Sequence, residues 1–238
     1  FAARLREQGL QAGDRVAILL PNRIEAAVAC YGTWLAAGVA VPLNVQARAR
    51  DFLPWLRHCD ARHVVYEQGN RDAELALEQL GSTPAITVAA DAKPLCPCGD
   101  AVEPPQIADP SAVALILYTS GTTGAPKGVA LSHGNLLANA EADVAYLGLN
   151  ADDRVLSVLP FYYAYGASVL HTHLMSGACV VLAPNLLFPH LVLEALGRER
   201  ATGFSGVPST YALLLEHVAL GDYDLSSLRY LTQAGGAM

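Results

Sequence analysis

Short apolar runs, rich in Val, Ile, Leu and Ala and too brief for helices, recur from one end of the chain to the other. They cover residues 15–20, 39–43, 62–66, 85–88, 112–118, 128–131, 154–158, 178–182, 203–206 and 230–233. Runs of this length bounded by Gly, Pro and Asp read as buried strands. Between them the pattern changes to a helical period. In residues 23–37, Ile24, Ala27, Val28, Tyr31 and Leu35 share one face. A second helix is expected over 134–146, entered through Ser132 as its N-cap. Strands alternating with helices predict an α/β fold of largely parallel sheets with helices on both faces.

Residues 91–110 interrupt this rhythm with Pro, Cys and Asp and read as a long loop. The loop predicts an N-terminal α/β lobe over 1–110 and a second α/β lobe over 111–238. The chain opens at Phe1 inside a helix-like segment, without an initiator Met, and stops at Met238 just after a strand. It is therefore expected to be part of a longer protein.

With 238 residues, 53% of them hydrophobic, the chain can bury a sizeable core. The net charge of −7 is scattered, which argues against a nucleic-acid surface or a polybasic membrane patch. No apolar run approaches the roughly 18 residues of a membrane span, and no signal-peptide pattern opens the chain, so a cytoplasmic location is expected. The five cysteines are odd in number and scattered. Cys30 and Cys59 fall in helical patterns, Cys179 in a strand, and Cys96 and Cys98 flank Pro97. Neither a disulfide framework nor a metal site follows from them. His171 and His173 are two apart on a helical segment and point to different faces, so no metal ligands are assigned.

The densest chemistry lies in residues 118–128, YTSGTTGAPKG, directly after a strand. Gly121, Gly124 and Gly128 allow backbone N–H groups to approach an anion. Thr119, Ser120, Thr122 and Thr123 supply hydroxyls, Lys127 supplies a compact positive charge, and Pro126 stiffens the loop ahead of it. These are the parts of a polyphosphate grip. The order Gly124-Ala125-Pro126-Lys127-Gly128 departs from the P-loop, where lysine directly follows glycine and a hydroxyl residue follows the lysine. Few apolar contacts are available to glycines and hydroxyls, so the loop is expected to be mobile without ligand.

This segment resembles the signature loop of the AMP-forming acyl-adenylate ligases, the superfamily of acyl- and aryl-CoA synthetases, peptide-synthetase adenylation domains and firefly luciferase. The resemblance implies the layered N-terminal domain of such a ligase. It also implies ATP and Mg2+ as cofactors, a carboxylic acid as substrate, and a CoA or carrier-protein thiol as acceptor. Thr119, Ser120, Gly121, Thr122, Thr123, Gly124 and Lys127 would hold the ATP phosphates, with Lys127 and Thr119 acting in catalysis. The segment from Leu159 to Gly166, LPFYYAYG, resembles the family's second landmark. It implies an acyl pocket at Tyr163, Gly166 and Ala167, where small residues, Ser168 included, would leave room for substrate. Adenylation domains for amino acids usually carry Asp after that gate, and Ala164 stands there, which favours a simple carboxylic acid. Gly206-Val207-Pro208-Ser209 is similar to a strand-to-helix turn of the same cleft, adding Val207 and Pro208 to the pocket. Gln233-Ala234-Gly235-Gly236-Ala237 is similar to the turn where adenine and acyl group approach the backbone, implicating Ala234, Gly235, Gly236 and Ala237. The stretch from Leu35 to Leu43 resembles a structural motif and is assigned packing.

The family's later magnesium-holding, ribose-binding and C-terminal lysine elements do not occur here, and the only lysines are Lys93 and Lys127. Residues 1–238 alone are thus expected to form no measurable acyl-AMP. A non-catalytic module that binds nucleotide or acyl-adenylate is the alternative reading, and a kinase-like NTPase fits poorly without a Walker lysine.

Overall fold

The computed structural model describes residues 1–81, 83–89, 109–119, 127–183 and 186–236. Two compact units follow one another, Phe1–Asn135 and Leu136–Met238. All ten expected strands are present, with ends displaced by at most one residue. Buried parallel strands carry contiguous apolar runs, and these are what the sequence displays.

The first unit holds β1 (Arg15–Leu19), β2 (Val39–Pro42), β3 (Ala61–Glu67), β4 (Ala85–Val88), β5 (Val113–Thr119) and β6 (Lys127–Ser132). They form one sheet in the order β4-β3-β1-β2-β5-β6. Every pairing is parallel except the β5–β6 hairpin. The helices are α1 (Ala2–Glu7), α2 (Ile24–Leu35), α3 (Ala49–His58) and α4 (Arg71–Leu80). Ala17 and Leu19 of β1 share a cluster with Phe52, Leu56, Ala73 and Ala76, which places α3 and α4 on one face. Val16 and Ile18 alternate to the other face and are equally buried, and α2 packs on β1 and β2. Trp34 of α2 donates its indole N–H to the Ala114 carbonyl at 2.7 Å.

The units divide later than the 110/111 boundary expected from composition. The reason is that β5 returns to pair with β2, with Ala40 opposite Leu115, and β6 follows it as a hairpin. The expected long loop, except Asp109 and Pro110, lies outside the described residues. Then α5 (His133–Leu147) begins. Ser132 caps it as expected: its hydroxyl accepts from the Asn135 N–H at 3.1 Å, and Asn135 Oδ1 accepts from the Ser132 N–H at 3.0 Å.

The second unit contains β7 (Arg154–Ser157), α6 (Ala164–Met175), β8 (Cys179–Leu182), α7 (Pro189–Arg198), β9 (Gly203–Gly206), α8 (Pro208–His217) and β10 (Tyr230–Gln233). Its sheet is wholly parallel, in the order β10-β9-β7-β8. Leu156 and Phe204 pack with Val192, Leu193, Leu196 and Leu214 of α7 and α8. Val155, the next residue back, packs with Val169 of α6 on the opposite face. Both faces are therefore covered, as a parallel sheet requires.

Asp153, at the N-terminal edge of this sheet, is buried. It takes the Thr202 hydroxyl at 2.7 Å and Arg229 Nη2 at 2.6 Å. Burial alone would raise its pKa, but the hydrogen bonds from Thr202 and Arg229 outweigh it, and the net shift is downward. A depressed folded-state value stabilises the fold above the ordinary Asp value, and that stability is lost as pH falls through the folded value. Asp153→Ala is expected to cost about 2 kcal/mol at neutral pH, below the range for a fully buried pair because Arg229 is partly solvated. The cost should shrink as pH falls below the ordinary Asp value near 3.9 and on towards the lower folded value. Urea unfolding at pH 7 and pH 3 measures it, and an equal cost at both would refute the assignment.

Candidate active site

The β5–β6 hairpin brackets the segment expected to grip polyphosphate. Thr119 ends β5 and Lys127 opens β6, and the two are directly paired across the antiparallel ladder. Both side chains are exposed. One step inward, the Tyr118 hydroxyl donates to the Trp55 carbonyl at 3.2 Å and accepts from His58 Nδ1 at 2.7 Å, anchoring the loop's first strand to α3. Burial pushes the Tyr118 phenol up, so it stays protonated. Of the expected phosphate ligands, Ser120, Gly121, Thr122, Thr123 and Gly124 lie outside the described residues, as does the expected mobility of the loop. Among the described residues no group of three or more His, Cys, Asp or Glu side chains comes together to hold a metal ion.

The other expected site residues gather at the C-terminal edge of the second sheet, where parallel sheets place their ligand crevices. Phe161 and Tyr162 turn into the core, while Tyr163 stays 52% exposed and meets Tyr162 edge to face, centroids 4.7 Å apart. Extended backbone makes Tyr163 the N-cap of α6, so its ring stands at the head of that helix. Gly166 and Ala167 lie buried in the first turn. The room expected at Gly166 is occupied: a Cβ there would stand 2.7 Å from the Pro160 carbonyl carbon and 2.9 Å from the Leu159 oxygen.

Val207 is the N-cap of α8 and Pro208 its first residue, so the backbone turns sharply out of β9. Gly235 has φ of +92°, and a Cβ on it would meet Val207 Cγ1 at 3.3 Å, while one on Gly236 would meet Pro208 Cγ at 3.5 Å. The fold thus brings the turns after β9 and β10 together. Val207 and Tyr165 also pack on the cluster of Val155, Leu159 and Val169, which ties in the turn after β7. Ala234 is exposed beside this group, and Ala237 lies outside the described residues.

Sequence reasoning did not single out the cavity of about 170 Å³ that opens within this unit, lined by Tyr165, Asp143, Ser168, Thr172, Thr232 and Ser205 among others. The Tyr165 hydroxyl donates to Thr232 Oγ1 at 2.6 Å, and Ser205 Oγ lies 2.8 Å from the same atom. At its floor, His173 Nδ1 donates to the Val169 carbonyl at 2.7 Å, which leaves Nε2 to accept from the Tyr230 hydroxyl at 2.6 Å. Burial lowers the His173 pKa and fixes this neutral form, and it pushes the His171 pKa down to about 4. Both histidines belong to the core. The sequence signals for the cavity were Ser168, expected to leave room for substrate, and Tyr165, two residues past the gate aromatic.

The AMP-binding enzyme family profile matches residues 1–238. The chain is 35% identical to a feruloyl-CoA synthase of an Amycolatopsis species, with 100% of this chain and 47% of the relative covered. The inhibitor-bound N-terminal domain of FACL13 from Mycobacterium tuberculosis superposes over 100% of this chain and 60% of that chain, with TM-score 0.86 and 26% identity. ATP-bound MatB from Rhodopseudomonas palustris matches over 98% of this chain and 46% of that chain, with TM-score 0.83 and 29% identity. The chain spans about half the length of the curated relatives it matches. Matched over its whole length, with the hairpin and the parallel sheet of the second unit both inside the match, the chain belongs to the AMP-binding enzyme family.

Proposed function

We propose that the protein carrying this chain is an ATP-dependent acid–thiol ligase. A carboxylate oxygen attacks the α-phosphorus of ATP, the bond to the β-phosphate oxygen breaks, and acyl-AMP and pyrophosphate form. A thiol then displaces AMP from the acyl carbon. Relatives named feruloyl-CoA synthase and long-chain-fatty-acid–CoA ligase support CoA as that thiol. Magnesium, where it accompanies ATP, supplies charge neutralisation for the phosphates.

The observation that carries this reading is the hairpin. Its two strands hold Thr119 and Lys127 opposite each other at the base of a loop dense in Gly, Ser and Thr. Pyrophosphate gathers negative charge as it leaves, and a fixed ammonium and hydroxyls stabilise that charge without any proton transfer by the protein. Tyr163, exposed at the head of α6, is the residue we place beside the reacting carboxylate, with Gly166, Ala167, Val207 and Pro208 shaping the wall behind it. Ala234 to Ala237 form the turn we assign to adenine and the acyl group.

With ATP, magnesium and a broad panel of carboxylic acids, the full-length protein is expected to exchange labelled pyrophosphate into ATP only when an acid is present. Exchange that no acid supports, or that needs no acid, would refute the proposal.

A further inference from the structure

Resting on this reading, we infer that His58 and Tyr118 are positioning residues for acyl-adenylate formation. Through the Tyr118 hydroxyl, α3 fixes where the Thr119–Lys127 rung stands. The first argument is that the hairpin outreaches its sheet. β2 pairs with β5 at one position, Ala40 opposite Leu115. Val39 and Leu43 give their N–H groups to β1, at the Asp14 and Ile18 carbonyls. By alternation Pro42 turns its backbone nitrogen towards β5, where it has no proton to give, so the ladder stops. β6 pairs with β5 all the way to Thr119, four residues past Leu115. At about 3.3 Å per residue, the Thr119–Lys127 rung stands about 13 Å beyond the last pair with β2.

The second argument is that Tyr118 ties this outer part back to the body of the unit. Its ring packs on the cluster beneath α3 and α4 and lies 6.0 Å from the Trp55 ring. It also lies close over β6: a Cβ on Gly128, its partner across the hairpin, would stand 3.6 Å from Tyr118 Cζ and 2.9 Å from Ile116 Cγ2. The hydroxyl proton goes to the Trp55 carbonyl, so His58 donates from Nδ1 to the same oxygen at 2.7 Å. Phe52 and Leu56 are buried and hold α3 firm, whereas His58 is exposed and its ring reaches to Tyr118. Tyr118 precedes Thr119 and is one rung from Lys127, so a shift of its hydroxyl moves both. Pyrophosphate leaves in the first step, and the anchor therefore serves acyl-AMP formation and not the transfer from acyl-AMP to the thiol.

Two measurements on the full-length protein test this. Tyr118→Phe keeps the ring and removes both hydrogen bonds, while the Trp55 carbonyl still accepts from the Cys59 N–H at 3.0 Å. It should lower kcat for acid-dependent pyrophosphate exchange about 10- to 100-fold, the scale for misplacing a group by about 1 Å, with KM for the acid unchanged. His58→Ala should lower it about 10-fold. His58→Asn, whose amide nitrogen still donates near the place of Nδ1, should retain most of the activity. Transfer from preformed acyl-AMP, made with the best acid of the panel, to CoA should be unchanged in all three variants. In Tyr118→Phe, amide hydrogen exchange should speed up over residues 116–119 and 127–132 and stay as it was in β1 and β3. Pyrophosphate exchange at full rate in Tyr118→Phe overturns the inference, whatever the amides do. Equal losses in the two half-reactions overturn it as well, because a general folding defect would produce them. Faster amide exchange in a protein that supports no acid-dependent pyrophosphate exchange would leave the anchor standing and refute the ligase reading on which its role rests.

Discussion

Replacing Lys127 with Ala in the full-length protein is expected to slow acyl-adenylate formation by about 10- to 1000-fold, the range for removing one electrostatic group that acts on a transition state. The side chain is exposed at the first position of β6, while its backbone pairs with Thr119. Alanine keeps the ladder intact, and an exposed lysine contributes little to folding, so stability should change by no more than about 0.5 kcal/mol. The two readouts separate: exchange falls and the melting temperature stays. Unchanged ATP–pyrophosphate exchange in a folded variant would remove Lys127 from the phosphate grip.

The second large effect is expected at Gly166, where two principles give opposite signs. Gly166 lies inside α6, and replacing glycine by alanine in a helix normally stabilises by roughly 1 kcal/mol. Here the added methyl would press on the Leu159 and Pro160 backbone. Backbone cannot rotate away as a side-chain tip does, so overpacking wins, at about 1–3 kcal/mol or more. Each kcal/mol lowers the melting temperature by about 2–4 °C in a domain of this size. The displaced segment also carries Tyr163, so Gly166→Ala should reduce adenylation by at least about 10-fold, because small misplacements of positioning groups are costly. A higher melting temperature with full exchange activity would show that the turn after β7 is not the close contact described here.

How much was legible varies by element, for identifiable reasons. Phe161, Tyr162, Tyr163 and Tyr165 look equivalent along the chain, yet the first two are buried, the third is exposed and the fourth hydrogen-bonds to Thr232. What separates them is the helix start at Ala164, which sets the direction of each ring. The Ser132 cap, by contrast, was readable, because its partner Asn135 lies only three residues away. The compact units divide at Asn135 because β5 returns to pair with β2, and no composition shift marks a strand pairing.

The sequence by itself determined the strands and marked residues 118–128 as the segment we propose to grip phosphate. A buried parallel strand must be apolar on both faces, and an anion-binding loop must concentrate glycine, hydroxyls and a cation within a few residues. Both requirements are local, so both are written locally. Only the tertiary structure decided that Thr119 faces Lys127 and that the Val207 and Gly235 turns touch. It likewise decided that Asp143, Tyr165, Ser205 and Thr232 enclose one cavity. Those contacts join residues far apart in the chain, and strand order and helix packing bring them together, not the identity of any one residue.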